Sequence, residues 1–373
     1  MAQHATRDDL RFMRRALVLA RRGAGHVAPN PLVGAVVVRD DRIIGEGYHA
    51  RPGGDHAEVV ALREAGARAR GATMYVSLEP CNHQGKTPPC TTAILNAGIS
   101  RVVYAIADPN PVAAGGADAL AHAGVVVASA VGATEATDLN ASFIFAARYT
   151  DRPFVTLKLA LSIDGALVDA SRARGWLTGR RARAAVHVLR AGCDAVAVGI
   201  GTVLADDPEL TVRDVPSPRI APKRVVFDRG ARTPLTSAVV KSARDVPLIV
   251  VTDGHAAARE HALREQGAQI VHADSLAESL RSLRQRDIRH LLVEGGAHLA
   301  SAFLAAGAVD RLITFQAPVI LGAGALPAFV SLPTRLADEA PRYRVVERRV
   351  LGADLMTTYA VSGDQAPDVY RPR

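Results

Sequence analysis

The chain has 373 residues, 49% of them hydrophobic and 22% charged, which is enough for two cores where a single core of that size would be unusual. Three cysteines argue against a disulfide scaffold and for a reducing cytoplasm, and no apolar run has the length of a membrane span or the make-up of a signal peptide. A net charge of +8 admits nucleic acid or small anions, but the basic residues are scattered and aromatics reach only 4%, which favours phosphate-binding arginines over platforms for single strands.

Leu10, Met13, Leu17 and Ala20 share one face of a helix expected over about 8–23. Val33–Val38 and Arg42–Gly47 read as a hairpin turned at Asp40-Asp41. A helix starts at His56, a buried strand spans Thr73–Leu78, and another helix begins near Cys90. A strand at Arg101–Ala107, a short helix, a strand at Val125–Ala128 and a helix over about 133–148 follow. This alternation predicts an α/β fold, a three-layer sandwich around a mostly parallel sheet. Near Thr150-Asp151-Arg152-Pro153 the helical pattern stops and proline resets the backbone. The expected domains are 1–150 and 151–363, with a proline-rich, disordered tail at 364–373.

The second half alternates again. Strands are expected at Phe154–Ala160, Ala195–Gly199, Lys223–Asp228, Leu248–Thr252, His290–Val293 and Leu312–Phe315. Helices fill about 179–191, 255–266, 276–286 and 297–306, and strands at about 343–350 and 354–360 close a hairpin around Gly352.

His56-Ala57-Glu58, then Pro80-Cys81 and Cys90, offer three zinc ligands and one carboxylate that is not a ligand. Three protein ligands leave the fourth tetrahedral position open for water, whose pKa the metal lowers towards neutrality. A Glu two residues after the ligating His is the proton carrier of zinc deaminases. The rival reading is a closed structural site, for which His83 is the one nearby fourth ligand, awkwardly placed two residues from Cys81. His56 and Cys90 each open a helix, so two helix N-termini face the metal and help keep the thiolates ionised.

Together with Pro29-Asn30-Pro31-x-Val33-Gly34, Gly45-x-Gly47-Tyr48-His49, Glu79-Pro80-Cys81-x-His83-x-Gly85-x-Thr87-Pro88-Pro89-Cys90 and Asp108-Pro109-Asn110-Pro111, these residues resemble the deaminase domain of the bifunctional riboflavin-biosynthesis deaminase–reductase family. The resemblance implies a cytidine-deaminase-like sandwich, zinc on His56, Cys81 and Cys90, and Glu58 as the catalytic proton shuttle. It places substrate contacts at Asn30, His49, His83, Lys86, Asp108 and Asn110. Lys86 is a point charge suited to phosphate, and Asn30 and Asn110 can read a pyrimidine edge. His49 either contacts substrate or caps a turn. The long Cys81-to-Cys90 loop differs from the Cys-x-x-Cys of nucleoside and nucleic-acid deaminases. Ala113 and Ala117 depart from the family pattern, which puts the shape of that loop in question.

Val198-Gly199-Ile200-Gly201-Thr202 alone is a weak dinucleotide signal, without the third glycine or the acid downstream. With Lys158-x-Ala160-x-Ser162-x-Asp164-Gly165, Trp176, Thr202 to Pro208, Leu210 to Arg213 and Glu294-Gly295-Gly296, it resembles the family's reductase domain. That resemblance implies a dihydrofolate-reductase-like α/β domain that uses NADPH. It assigns the cofactor to Ala160, Trp176, Thr202, Asp206, Gly296, Ala297, His298, Leu299, Ala300, Ser301 and Ala302. Substrate falls to Arg190, Leu210, Arg213 and Glu294, and the ring-opening chemistry to Lys158 and Asp164. A Gly-Gly pair opening a helix suits a pyrophosphate, and arginine forks suit a ribose phosphate. Glu294 either meets the ribose hydroxyls or ring amine, or caps the next helix. Arg172-Ala173-Arg174-Gly175 departs from the family's Gly-Glu-Ser type of run, and Arg174 replaces a hydroxyl that touches substrate. Arg229 stands where a small residue is common near the cofactor.

The implied activity is zinc-dependent hydrolytic deamination of 2,5-diamino-6-(5-phosphoribosylamino)pyrimidin-4(3H)-one, then NADPH-dependent reduction to 5-amino-6-(5-phosphoribitylamino)uracil. The implied ligands are small phosphorylated pyrimidines, with no nucleic acid and no membrane, in a cytoplasmic homo-oligomer. The alternatives are a nucleoside or nucleic-acid zinc deaminase with an unrelated C-terminal domain, and a non-catalytic zinc module.

Overall fold

A computed structural model describes residues 6–84, 88–172, 175–334 and 336–361. Lys86, Ala173, Arg174 and the expected tail at 364–373 therefore lie outside the described residues. The chain divides into two compact units, one running to Arg148 and the other beginning at Tyr149. No helix among the described residues is long and apolar enough to cross a membrane.

The first unit runs α1 (Arg7–Ala20), β1 (Gly34–Arg39), β2 (Arg42–Tyr48), α2 (Ala57–Ala65), β3 (Thr73–Val76), α3 (Cys90–Ala97), β4 (Arg101–Tyr104), α4 (Gly116–His122), β5 (Val126–Ala128), α5 (Ala133–Leu139) and α6 (Ala141–Arg148). A capping box starts α1: Thr6 Oγ1 accepts the Asp9 N–H at 3.1 Å, and the Asp9 carboxylate accepts the Thr6 N–H at 3.0 Å. The same buried carboxylate accepts the Tyr75 hydroxyl at 2.8 Å and Arg101 at 2.7 Å, which fastens α1 to β3 and β4.

The sheet order is β2-β1-β3-β4-β5. β3, β4 and β5 are parallel, but β1 pairs antiparallel with both neighbours. β1 alone therefore runs against the other four strands, and the two-residue turn at Asp40 and Asp41 (φ 49° and 59°) returns the chain directly into β2. Gly45 and Gly47 let α2 lie on β2: a Cβ at either would come within 2.2 Å of a helix carbonyl, Ala61 O or Ala57 O. The single helix expected at 133–148 is broken at Asn140. That buried side chain accepts the Leu32 N–H at 2.8 Å and donates to Leu32 O at 3.0 Å, which anchors the segment leading into β1.

The second unit runs β6 (Phe154–Leu161), β7 (Ala166–Val168), α7 (Arg180–Ala191), β8 (Ala195–Gly199), α8 (Ile200–Asp206), β9 (Lys223–Phe227), α9 (Ala238–Lys241), β10 (Leu248–Thr252), α10 (Ala257–Glu265), β11 (Gln269–His272), α11 (Leu276–Arg284), β12 (His290–Val293), α12 (Ala297–Ala305), β13 (Arg311–Gln316), β14 (Leu326–Pro327), β15 (Tyr343–Leu351) and β16 (Asp354–Val361). Its nine-stranded sheet has the order β11-β10-β9-β8-β12-β6-β13-β16-β15. The strands from β11 to β13 are parallel, and the β15–β16 hairpin is added antiparallel at one edge. Val155, Leu157, Leu291, Val293 and Phe303 are fully buried in the core between sheet and helices. β7, α8, α9, β11 and β14 are additions to the expected elements. α8 starts immediately at the end of β8, with Gly199 as its N-cap, so no loop signal marks it.

Candidate functional site

The fold brings His56, Cys81 and Cys90 together. His56 is the N-cap of α2, Cys90 is the first residue of α3 behind Pro89, and Cys81 follows β3 through a short loop. His56 Nδ1 lies 3.2 Å from Cys90 Sγ and 3.5 Å from Cys81 Sγ, and the three donor atoms lie within 4.8 Å of one another. The Cys90 backbone N–H donates to Cys81 Sγ at 3.5 Å, as the start of a helix does for a thiolate. The hydrogen bond from the Cys90 thiol, followed by His56, pulls the Cys81 thiol down to about 4, while Cys90 is pushed up by the same shared proton and by burial. Two buried sulfurs and one imidazole nitrogen form a soft, convergent set that fits zinc. Among the described residues neither Glu58 nor His83 joins this set, which leaves it at three ligands.

Glu58 sits in the first turn of α2 with 3% of its surface exposed. Burial raises its carboxyl above the usual range, which favours holding and passing on a proton. Around it, His49 bridges two groups: Nδ1–H donates to Asp55 O at 3.1 Å, and Nε2 accepts from Asn30 Nδ2 at 3.0 Å. His49 is buried, its ring edge-on to His56 at 5.4 Å, and burial draws its pKa down. Both ring nitrogens of His49 are thus engaged within the protein, and one of them holds Asn30 Nδ2. Among the described residues His83 Nδ1 is buried without a hydrogen-bond partner, a polar atom that a ligand can satisfy. Asp108 accepts the Asn110 N–H at 2.9 Å, and exposed Asn110 accepts the Val112 N–H at 3.1 Å, so both shape their own loop.

Glu79 organises that loop, a role the sequence reading missed. Its carboxylate accepts N–H groups from Asp108 at 3.2 Å, Gly115 at 3.1 Å and Ala117 at 3.0 Å. A charged residue at the end of a buried strand, two places before a metal ligand, was the available signal. Ala113 packs against Cys81 and Cys90, so the departure at that position sits directly on the ligands.

The second unit has a cleft of about 2360 Å³ along the C-terminal ends of its parallel strands, the usual ligand position in such sheets. β6 contributes Lys158 and Ala160, and α7 contributes Arg190. Gly199 to Thr202, Leu204, Ala205 and Asp206 to Leu210 line it too, with Arg213, Trp176 and Glu294. From α12 come Gly296, Ala297, His298, Leu299 and Ala302. Ala300 and Ser301 do not face the cleft: Ala300 is in the core, and the Ser301 hydroxyl donates to Ala297 O at 2.8 Å and accepts the Val330 N–H at 3.1 Å. A helix presents one face only, so the expected run from Gly296 to Ala302 is broken there.

Two further expectations are corrected by hydrogen bonding. Asp164 does not line the cleft; its exposed carboxylate accepts the N–H groups of Leu321 at 3.1 Å and Gly322 at 2.8 Å, and these with Ser162 hold it low, at about 2. It positions Leu321, which does line the cleft. Arg190 is only partly free to grip a phosphate: three of its five N–H groups are spent, and one on each Nη remains. Its Nε and Nη2 meet the Glu294 carboxylate at 2.5 and 3.0 Å, and its Nη1 donates to Thr211 O at 2.8 Å. Burial alone raises Glu294, but Arg190 and Lys158 outweigh it and keep the carboxyl below its ordinary value. Burial pulls the Lys158 ammonium down, with Arg190 adding to the effect and Glu294 opposing it. Among the described residues the Arg213 guanidinium pairs only with exposed Glu209, at 2.6 Å. Trp176 is 74% exposed, with the Arg183 guanidinium 4.9 Å above its ring. Arg229 lies exposed on the cleft rim, 3.9 Å from Asp253.

The cleft also fits a dinucleotide. A Cβ at Gly201 would meet nothing within 4 Å, and one at Gly296 only Thr202 Oγ1 at 3.7 Å, so bare backbone faces the opening. Gly296 caps α12 with no side-chain hydrogen bond, leaving the first N–H groups directed at an anion.

These two sites define a zinc aminohydrolase joined to a nucleotide-dependent reductase. A model of the RibD C-terminal domain matches residues 153–357, and a model of the cytidine and deoxycytidylate deaminase zinc-binding region matches residues 6–106. Riboflavin biosynthesis protein RibD of Aquifex aeolicus is 42% identical over 351 residues, covering 93% of this chain and 97% of the relative. The protein of that name from Escherichia coli K12 is 41% identical over 368 residues, covering 93% and 98%. Among solved structures, Acinetobacter baumannii RibD superposes with TM-score 0.80 at 38% identity over 95% of this chain and 99% of that one. A Thermotoga maritima structure described as a diaminohydroxyphosphoribosylaminopyrimidine deaminase/5-amino-6-(5-phosphoribosylamino)uracil reductase gives TM-score 0.80 at 36% identity, over 95% and 99%. The chain belongs to the RibD family of bifunctional riboflavin-biosynthesis deaminase–reductases.

Proposed function

We propose that the first unit removes the ring amino group of 2,5-diamino-6-(5-phosphoribosylamino)pyrimidin-4(3H)-one as ammonia, and that the second reduces the ribosyl group of the deaminated product to ribityl. The observation that carries this reading is a three-ligand His56–Cys81–Cys90 set beside a buried carboxylate that is not a ligand, in one chain with a glycine-lined cleft. Zinc on those three residues would supply a water acidic enough to attack at neutral pH. Glu58 carries the released proton to the departing amino group. Asn30, oriented by His49, reads the pyrimidine edge, and His83 Nδ1 meets a substrate polar atom. Lys86 takes the phosphate by its place in the family motif.

In the second unit NADPH would supply the hydride that reaches C1′. Lys158 protonates the ribose oxygen as the ring opens. Glu294, held ionised by Arg190, accepts hydrogen bonds from the ribose hydroxyls. The same reading carries small phosphorylated pyrimidines rather than nucleic acid as ligands, a cytoplasmic location and self-association. Sparse aromatics support the first of these, and the near full-length likeness to the bacterial relatives supports the others.

The test follows ammonia and NADPH together in the zinc-loaded chain. The diamino substrate should yield ammonia first, with NADPH oxidation in equal amount afterwards, and the deaminated intermediate should oxidise NADPH without ammonia. Deamination of cytidine or of adenosine in RNA with no NADPH consumed would sink the reading.

A further inference from the structure

Arg183, His187 and Arg190 fall on one face of α7, and all three line the reductase cleft. Two of them are already committed. Arg190 is bound to Glu294 and Thr211 O, and Arg183 donates to Thr178 O at 2.7 Å while covering Trp176. His187 differs. Its Nδ1 accepts the Arg213 backbone N–H at 3.2 Å, and a backbone amide can only donate. That nitrogen therefore carries no proton, and the neutral ring bears its hydrogen on Nε2. Among the described residues Nε2 has no hydrogen-bond partner, and it is not one of the buried unsatisfied atoms, so it meets the cleft.

We propose that His187 is a substrate-binding residue of the reductase, donating Nε2–H to the phosphate monoester of the substrate beside the Arg213 guanidinium. The proposal rests on the reductase reading above. Arg190 keeps only one N–H on each Nη, so a phosphate dianion needs further donors from its neighbours in the cleft. The charged groups that act on the ring are Arg190 on its own helix, Arg213 and Asp214 on the loop after α8 and Glu294 after β12, and Arg180, Arg183, Glu209 and Lys158 line the same cleft. Cations exceed carboxylates there, as a dianion requires. Burial, followed by the charges of Arg190 and Arg213, draws the imidazole pKa down, which favours the neutral ring that the Nδ1 hydrogen bond requires. Among the described residues the Arg213 guanidinium meets only an exposed carboxylate, a weak partner that phosphate can replace. One ring thus anchors the backbone of Arg213 and supplies the neighbouring donor.

Two variants separate these jobs. His187→Asn keeps an acceptor near the Nδ1 position and loses the cleft donor; His187→Gln keeps a donor near Nε2. Steady-state reduction of the deaminated intermediate and of its dephosphorylated form is measured, with NADPH affinity by calorimetry. The expected result for His187→Asn is a KM for the phosphorylated compound raised about ten- to a hundredfold, the loss typical of one hydrogen bond to a charged acceptor. KM for the dephosphorylated compound and NADPH affinity stay near wild type, and His187→Gln recovers most of the loss. An unchanged KM in His187→Asn, or equal losses on both compounds, overturns the proposal. A wild-type chain that neither binds NADPH nor reduces the intermediate sinks the reductase reading itself, which is a distinct result.

Discussion

The two active sites draw their parts from the chain in opposite ways. The zinc ligands and Glu58 come from the stretch between His56 and Cys90, each set by a helix start or a proline. The reductase cleft gathers residues from Lys158 to Leu326, carried by strands that become neighbours only through the sheet order. Local chain geometry decides the first site. In the second, sheet register decides which charges meet, and Arg190 with Glu294 is the outcome.

The comparison predicts two separable activities, and the largest test of it is Glu58→Gln. Ammonia release should fall about 10²- to 10⁴-fold, the usual worth of a positioned proton carrier. Zinc content, read by elemental mass spectrometry, and NADPH oxidation with the deaminated intermediate should both persist. A parallel fall in both activities would break the separation.

Next in size is Glu294→Gln. It leaves the buried Arg190 guanidinium without its countercharge, and breaking a buried pair costs about 3–5 kcal/mol. Denaturant unfolding should show the loss in the reductase unit's transition, with that of the deaminase unit unmoved. A smaller effect comes from Lys158. Burial depresses its pKa below the ordinary 10.5, and the protonated form is the acid, so reduction is intact below that pKa and lost as pH rises through it. The alkaline limb of kcat/KM for NADPH oxidation should therefore fall below pH 10.5, and Lys158→Arg should remove that limb. A limb at or above the ordinary lysine value would mean that Lys158 is not the acid.

The same contrast explains what the sequence could disclose. The zinc set is legible because metal geometry demands particular residue types, and a two-residue turn or a Pro-Pro-Cys start is visible in the string. Most strands of both sheets were readable from apolar runs, but β11 was not. Asn140 was not, because its use as an anchor for Leu32 depends on a partner far away in the chain. Ala300 and Ser301 look like their neighbours in the string, and only the rotation of α12 turns them inwards. The pairing of Arg190 with Glu294 was equally hidden, because nothing in the sequence shows that the two lie opposite one another.

Glu79 is where the deaminase unit itself depends on distant contacts, and it gives the smallest and most discriminating prediction. Its Oε1 accepts from Gly115 and Ala117, and its Oε2 from Asp108. In Glu79→Gln the amide oxygen can still serve Gly115 and Ala117, but the NH₂ group then faces the Asp108 N–H, donor against donor. The loop is released at the end that carries Asp108 and Asn110. An unpaired amide costs about 1–3 kcal/mol, and part of that should appear as weaker substrate binding. KM for deamination should therefore rise roughly tenfold, with kcat and zinc content little changed. Glu79→Ala, which releases all three amides, should raise KM further. A fall in kcat with KM held constant would place Glu79 with the metal ligands rather than with the loop, and the local character of the zinc site would then extend one residue further along the chain.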